Sequence, residues 1–255
     1  MQENQELVLQ LCQNKAFDEG KATRLLCGTP EGIAVQFNRN FNGRLKTAIS
    51  ISKTLVFQEN TRQRVERSKE YALQRDPTAN DFGTRYTGVE DLEKLLDAYN
   101  INCYTFTKAS RDHLYGRSQK KNNLFFYGPP STGKTMVMES LVEMHYNYTR
   151  LTGLTPSSSF NFCSLIHTNA CFMDECKLTD NQFEQWKLLA AGQPMSTDVK
   201  YKNRHDVTNC VLYTASNYPI GSYLTVPDTT QAIETRTTQF NCMKQTDKFK
   251  LNPCI

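Results

Sequence analysis

Apolar and polar positions alternate in a regular way along the second half of the chain. Short apolar runs are separated by amphipathic stretches, which predicts strands separated by helices. We expect helices over about 134–150 and 180–191, the second opening with a capping box of Thr179 and Gln182 and ending at Gly192. This alternation predicts an α/β domain with a mainly parallel sheet flanked by helices. The predicted strands are Leu124–Tyr127, Phe160–Cys163, Ala170–Met173, Val211–Thr214 and Thr238–Met243.

The first half of the chain has helical patterns of uneven strength. Residues 1–15 place Leu7 and Leu11 on one face of a helix, and the charged stretch 61–75 also predicts a helix. The clearest amphipathic helix covers 89–100. Its inward-facing residues are Val89, Leu92, Leu95 and Leu96.

Two further stretches of the first half have no clear pattern. The mixed signals of 16–60 predict no particular element. The polar and basic stretch 107–122 is interpreted as a linker or a solvated helix.

Composition and charge narrow the classes of protein to consider. The chain has 255 residues, 38% of them hydrophobic, but no apolar run long enough to span a membrane and no signal peptide at its start. The formal net charge is only +4, so any contact with nucleic acid must be local. Nine irregularly spaced cysteines, without a Cys-x-x-Cys pair, argue against a structural zinc site and favour free thiols in a reducing compartment.

The strongest motif lies between the first predicted strand and the helix that follows it. It matches the phosphate-binding pattern G-x-x-x-x-G-K-[ST], in which glycines let successive N–H groups face phosphate oxygens. Lys134 is expected to reach the β- and γ-phosphates of ATP, and Thr135 to place its hydroxyl on Mg²⁺. The residues of this phosphate loop are Gly128, Pro129, Pro130, Ser131, Thr132, Gly133, Lys134 and Thr135.

Two later strands end in polar residues that complete a hydrolytic site. Asp174 and Glu175 follow the run that starts at Ala170, and we expect Asp174 to serve the metal and Glu175 to polarise the attacking water. Asn217 follows the run that starts at Val211, where an amide can orient water against the γ-phosphate.

A basic segment separates these two strands. Period-two alternation puts Asp198, Lys200 and Lys202 on one face of a strand, and Asn203, Arg204 and His205 are interpreted as the turn of a hairpin. Such a hairpin would grip a nucleic-acid backbone through phosphate contacts without reading bases. The predicted contact residues are Lys200, Lys202, Arg204 and His205.

The order of these elements resembles that of superfamily 3 helicases, and most closely the large non-structural replication protein of parvoviruses and densoviruses. The resemblance rests on GPPSTGKT, FMDE, the Lys-x-Lys hairpin in KLLAAGQPMSTDVKYK and the strand ending in Ser-Asn. It implies an AAA+ ATPase that forms a ring, usually a hexamer, moves along single-stranded DNA and works in the host nucleus. It also implies that Asn217 is a sensor and that Arg236 is an arginine finger acting on a neighbouring subunit's nucleotide.

The resemblance also suggests how the chain is divided. Members of this family carry a nicking nuclease with a His-apolar-His pair, whereas His113, His145, His167 and His205 are far apart in this sequence. We therefore expect the nuclease to be a partner domain outside this chain. The predicted regions are an unassigned N-terminal region, a helical subdomain that would assist oligomerisation and the AAA+ ATPase domain, at 1–60, 61–115 and 116–255.

Other functions compatible with these motifs stay open at this stage. A translocase that packages single-stranded DNA, or a viral RNA helicase, would use the same ring and the same loop. A nucleotide-gated binding module without hydrolysis is disfavoured by the intact Lys134, Asp174 and Glu175. A small-molecule kinase would leave the basic hairpin unexplained.

Overall fold

A computed structural model describes most of the chain in several segments. The predicted helix at 61–75 lies outside the described residues except for Gln63 and Glu66. The segments are 2–14, 16, 19–26, 39–58, 63, 66, 82–145, 147–152, 162–175, 177–199, 202–225 and 229–243.

A five-stranded sheet forms the centre of the molecule. Its strand order is β2-β3-β6-β1-β7, and every neighbouring pair is parallel. The predicted α/β fold with a mainly parallel sheet is therefore confirmed. A separate antiparallel pair, β4 and β5, forms a hairpin. The strands are β1 (Asn123–Tyr127), β2 (Tyr148–Thr152), β3 (Ala170–Asp174), β4 (Met195–Val199), β5 (Lys202–Val207), β6 (Val211–Ser216) and β7 (Thr237–Asn241).

Helices precede the sheet and connect its strands. Two of them, α2 and α3, lie in the stretch to which the sequence assigned no element. None of the helices in the described part of the chain is long and apolar enough to cross a membrane. The helices are α1 (Gln2–Gln13), α2 (Glu19–Leu26), α3 (Arg39–Gln58), α4 (Phe82–Ala98), α5 (Cys103–Leu114), α6 (Lys134–Glu143), α7 (Asp180–Ala190) and α8 (Thr229–Glu234).

Three predicted elements have different boundaries or a different type in the structure. The helix expected over 134–150 ends at Glu143, and the residues from Tyr148 form β2, whose Tyr and Thr side chains suit a strand. The strand expected at 160–163 is wrong where the structure describes it, because Phe162 lies in a turn and Cys163 begins a 3₁₀ turn. Phe162 is buried in the core, so an apolar residue is needed at this position even though it is not in a strand. The helix expected over 89–100 begins earlier, because α4 runs from Phe82 to Ala98. Of the two interpretations of 107–122, a solvated helix is confirmed for 107–114, which lie in α5.

Side chains on both faces of the sheet are buried. In β3, Phe172 packs on the side covered by α4, α5 and α6, whereas Met173 packs on the side covered by α7 and the hairpin. Burial on both faces explains why the strands have continuous apolar runs rather than alternation. The three N-terminal helices form a cluster of their own, which includes the predicted inward residues Leu7 and Leu11.

A buried histidine ties α5 to the sheet. His113 Nε2 donates a hydrogen bond of 2.8 Å to the carbonyl of Leu212, and its ring packs edge-on against Tyr213. Burial lowers the pKa of His113 to about 4 from an ordinary value of 6.5. The folded protein therefore holds His113 neutral at a pH at which the unfolded chain would protonate it.

We expect acid to weaken the fold through His113. Between pH 6.5 and about 4 the unfolded chain binds one more proton than the folded protein, so the free energy of unfolding falls as the pH falls. The decrease from this group should reach about 3 kcal/mol near pH 4. Urea unfolding of wild type and His113→Gln across this range checks it. The difference between the two proteins should shrink toward acid, and a constant difference would contradict the assignment.

Candidate functional site

The strand order brings the predicted site residues to one edge of the sheet. β6 lies between β1 and β3, and all three strands are parallel. Their carboxyl ends therefore adjoin. The phosphate loop follows β1, Asp174 and Glu175 lie at the end of β3, and Asn217 follows β6. Ligands of open parallel α/β sheets bind at this edge.

The phosphate loop has backbone angles that its glycines permit. Gly133 has φ +76° and directly precedes α6, whose N–H groups therefore open toward the loop. Gly128 has φ +151°, and a Cβ placed there would lie 2.3 Å from the carbonyl oxygen of Cys242. Cys242 directly follows β7. Its backbone lies so close to Gly128 that no side chain fits at that position. Tyr99 on the other flank donates a hydrogen bond to the carbonyl of Thr132.

Lys134 lies inside the loop rather than on its surface. The residue is buried, and its Nζ donates to the carbonyl of Pro129 at 2.6 Å and to Asn217 Oδ1 at 3.1 Å. Burial lowers the pKa of the Lys134 ammonium, and the negative charges of the two carboxylates at the site act in the opposite direction. The structure thus brings the predicted phosphate-binding lysine and the predicted sensor into direct contact.

The two acids occupy different positions at the end of β3. Asp174 Oδ1 accepts a hydrogen bond of 3.3 Å from the hydroxyl of Thr135, so the two predicted metal ligands are in contact. Glu175 is more exposed, and its Oε2 accepts a bond of 3.2 Å from the backbone N–H of Asn217. Glu175 has φ +50°, and its N–H donates to the carbonyl of Ala215 on β6. This bend turns the second carboxylate toward the sensor.

These donor atoms fit Mg²⁺ held together with a nucleotide. Hydroxyl and carboxylate oxygens are its preferred ligands, and Mg²⁺ usually takes few protein ligands and completes its shell with water and phosphate oxygens. No cluster of three or more His, Cys, Asp or Glu able to hold a metal occurs within the described segments. Thr135 and Asp174 therefore suit a shared metal better than a site built from protein alone.

The sequence did not reveal one charged residue of this site. Arg150 on β2 donates to Asp174 Oδ2 at 2.5 Å and pairs with Glu139 on α6. The hydrogen bond to Asp174 is the main reason that the pKa of Arg150 is raised. The helix predicted over 134–150 included this position, whereas the structure places Arg150 on a strand. The alternation of Tyr148, Arg150 and Thr152 was the available signal for a strand.

The basic hairpin exists, but its turn is not where the sequence placed it. Val199 pairs with Lys202, and Arg204 and His205 lie within β5 instead of forming the turn. Arg204 Nε donates to Asp198 at 2.8 Å, and both side chains are substantially exposed. The negative charge of Asp198 partly neutralises Arg204, which reduces the positive potential that Arg204 would offer to a phosphate. His205 is exposed, and Lys200 lies outside the described residues.

The hairpin and Arg236 lie away from the phosphate loop. The hairpin connects the end of α7 to the amino end of β6, and Arg236 directly precedes β7. In a parallel sheet these amino ends form the edge opposite the loop. Arg236 Nη1 donates to the carbonyl of Ala232 at 2.9 Å, while its buried Nε has no hydrogen-bond partner among the described residues. Arg236 is thus separated by the sheet from the nucleotide site of its own chain.

Comparison with protein families gives one match over most of the chain. The family model described as "Parvovirus non-structural protein NS1" matches residues 36–252. This match includes the phosphate loop, the two acids, the hairpin and Arg236.

Individual relatives match a shorter part. The initiator protein NS1 of Aleutian mink disease parvovirus (strain G) is 26% identical over 142 residues, which is 54% of this chain and 24% of that protein. The corresponding protein of Aedes densonucleosis virus is 23% identical, over 57% of this chain and 17% of its own length. The replication protein E1 of bovine papillomavirus type 1 is 32% identical, over 52% of this chain and 23% of its own. The matched region thus spans about a quarter or less of each of these relatives.

A solved structure shares the fold. The chain is similar to a JCV helicase with a bound acetamide compound, with a TM-score of 0.59 and 14% identity, covering 92% of this chain and 71% of that one. At this identity the similarity concerns the arrangement of the sheet and helices.

Proposed function

Since the chain belongs to the parvovirus non-structural protein NS1 family and is a superfamily 3 helicase domain, we propose that it unwinds viral DNA with the energy of ATP hydrolysis. In this proposal ATP is cut between subunits of a ring, and the ring moves along single-stranded DNA. The same family membership supports the proposal that the protein acts in the host nucleus. The nicking nuclease of the family would act as a partner domain.

One observation carries the proposal at the level of chemistry. Lys134 and Asn217 are in contact, and Thr135 and Asp174 are in contact, although the four residues come from three separate positions in the sequence. Four groups that bind phosphate, water or metal thus converge where ligands of this fold bind. A chance cluster of surface residues would not bury a lysine and place a sensor amide against it.

Each residue has a role in hydrolysis that follows from its position. The N–H groups of the loop and Lys134 hold the β- and γ-phosphates, and they stabilise the negative charge that develops on the phosphoryl group. Glu175, bonded to the N–H of Asn217, orients and polarises the attacking water. Thr135 and Asp174 would hold Mg²⁺, whose positive charge would offset that of the phosphates.

The ring is proposed from the position of Arg236. The sheet separates this side chain from its own phosphate loop, so a role for Arg236 in hydrolysis requires the nucleotide of a neighbouring subunit. A head-to-tail interface that closes on itself produces a ring. A hexamer is the size that family membership favours.

DNA binding is proposed for the hairpin. Lys202 begins β5, where it pairs with Val199 of β4, and Arg204 and His205 follow on the same strand. Lys200 precedes Lys202 by two positions in the sequence. Since Arg204 is paired with Asp198, we expect the two lysines to contribute more of the binding to phosphate than Arg204 does.

The central experiment compares ATP hydrolysis with strand displacement. We expect hydrolysis that single-stranded DNA stimulates, together with displacement of a labelled strand from a DNA duplex. Hydrolysis with displacement of RNA but not DNA duplexes would favour an RNA helicase. DNA-stimulated hydrolysis without displacement of either would favour a packaging translocase.

The hairpin variant Lys200→Ala with Lys202→Ala should separate hydrolysis from movement. Basal hydrolysis should stay within about twofold, because the nucleotide groups lie at the other edge of the sheet. Single-stranded DNA binding should weaken, and the slope of its salt dependence should fall by about 0.7 for each phosphate that the variant no longer neutralises. Lys94→Ala, on α4, is the matched control. If the double variant still unwinds DNA as wild type does, the hairpin does not bind the DNA.

A further inference from the structure

Arg150 joins the two structural elements that carry the metal ligands. It lies in β2, one of the two edge strands of the sheet, where it pairs in register with Phe172. Its Nη1 contacts Glu139 on α6, and its Nη2 donates to Asp174 Oδ2 at 2.5 Å. The guanidinium carbon is 5.2 Å from the centre of the Phe172 ring. Two ion pairs and an aromatic face together restrict the flat guanidinium to one orientation.

The carboxylate of Asp174 is consequently held at both oxygens. Oδ2 accepts from Arg150, and Oδ1 accepts from the hydroxyl of Thr135 at 3.3 Å. A carboxylate bonded at one oxygen alone can rotate about its terminal torsion. With Oδ2 engaged on the outer side, Oδ1 stays directed toward Thr135.

We propose that Arg150 is a positioning residue for the metal-bound nucleotide, because it fixes the Asp174 carboxylate so that Oδ1 faces the hydroxyl of Thr135. This inference rests on the proposed function, since it assigns a role within the same site. Arg150 acts through Asp174. Partners that orient a metal-binding carboxylate generally influence metal affinity strongly.

Glu139 resolves an electrostatic difficulty in this arrangement. A lone cation beside Asp174 would repel a divalent metal. Glu139 lies on the other arm of the guanidinium and has opposite charge, so the Arg150–Glu139 pair is neutral as a unit. Glu139 also lies on α6, one helical turn after Thr135. The pair therefore connects the helix that bears Thr135 to the strand that bears Asp174 without adding net charge.

The test removes the pair without changing the net charge. In the double variant Arg150→Gln with Glu139→Gln, we expect the Mg²⁺ concentration that half-saturates binding of a fluorescent ATP analogue to rise about tenfold or more. Binding of the same analogue in EDTA should stay within about twofold of wild type. A structural defect would instead weaken binding with and without metal.

Two further variants make the result decisive. Lys187→Gln with Glu184→Gln removes a comparable ion pair on α7, and it should leave the Mg²⁺ requirement unchanged. Arg150→Lys keeps the charge but removes the two-armed donor, so an intermediate Mg²⁺ requirement is expected, and this variant remains informative if the double variant does not fold.

The outcomes distinguish this inference from the proposed function. If wild type binds the analogue with Mg²⁺ and the double variant has an unchanged or lower Mg²⁺ requirement, Arg150 has no positioning role. If the double variant does not fold and Arg150→Lys has the same Mg²⁺ requirement as wild type, Arg150 likewise has no positioning role. Wild type without any Mg²⁺-dependent binding would overturn the proposed function itself.

Discussion

Lys134→Ala should abolish ATP hydrolysis, lowering the rate at least about a hundredfold. The side chain is buried in the phosphate loop, where it donates to Pro129, Thr132 and Asn217. These contacts hold the ammonium in place to bind phosphate. Alanine would remove the charge that holds the γ-phosphate and also the hydrogen bond to the sensor. Steady-state phosphate release and binding of a fluorescent ATP analogue measure the two effects.

A matched control for this variant is Lys187→Ala. Lys187 is also a helical lysine, but it is partly exposed and pairs with Glu184 on α7, away from the loop. Its replacement should leave hydrolysis within about twofold of wild type, since exposed ion pairs contribute little. Should Lys134→Ala retain a tenth of wild-type hydrolysis while folded, the phosphate-binding role of Lys134 would be refuted.

Arg236→Ala should also remove hydrolysis, but it should leave ATP binding intact. An arginine supplied by a neighbour typically contributes about 10³–10⁵ in rate. Because the sheet separates Arg236 from its own phosphate loop, the decrease must arise at the interface between subunits. Hydrolysis rates and binding of the ATP analogue, measured on the same preparation, separate the two quantities. Arg236 also donates to the carbonyl of Ala232 at the end of α8. Arg236→Lys keeps the positive charge there and so serves as the control for loss of this structural contact.

Mixing two inactive variants tests the interface directly. Lys134→Ala has an intact Arg236, and Arg236→Ala has an intact phosphate loop. In an equal mixture, about a quarter of the head-to-tail junctions should pair an intact loop with an intact arginine and regain activity. A mixture as inactive as either variant alone, in proteins that assemble, would place Arg236 outside catalysis.

The strands were predictable where burial alone produced the pattern. β1, β3 and β6 lie in the middle of the sheet, are covered on both faces and appear in the sequence as continuous apolar runs. β2 lies at one edge of the sheet, and its alternating Tyr148, Arg150 and Thr152 are a weaker signal than a continuous apolar run, so the predicted helix was extended over it. The opposite error occurred at Phe162, whose burial reflects packing in a turn rather than a strand.

The hairpin shows a second limit of sequence patterns. Alternation indicated a strand leading into a hairpin turn, and the hairpin exists, but the residues interpreted as the turn, Asn203, Arg204 and His205, lie within β5. Polar residues are common both in turns and on exposed strands. The register of β4 and β5, in which Val199 pairs with Lys202 and Arg204 bonds Asp198, depends on cross-strand interactions that local composition does not contain.

The phosphate loop and the two acids were identifiable from the sequence because each motif is continuous. Backbone angles at Gly128 and Gly133 and the order Asp174-Glu175 are local properties, and chemistry restricts which residues can occupy them. The strand order decided which of these motifs meet. Only the folded chain brings Asn217 against Lys134, Cys242 against Gly128 and Arg150 onto Asp174. Such interactions join residues far apart in the chain, and packing rather than local preference selects them.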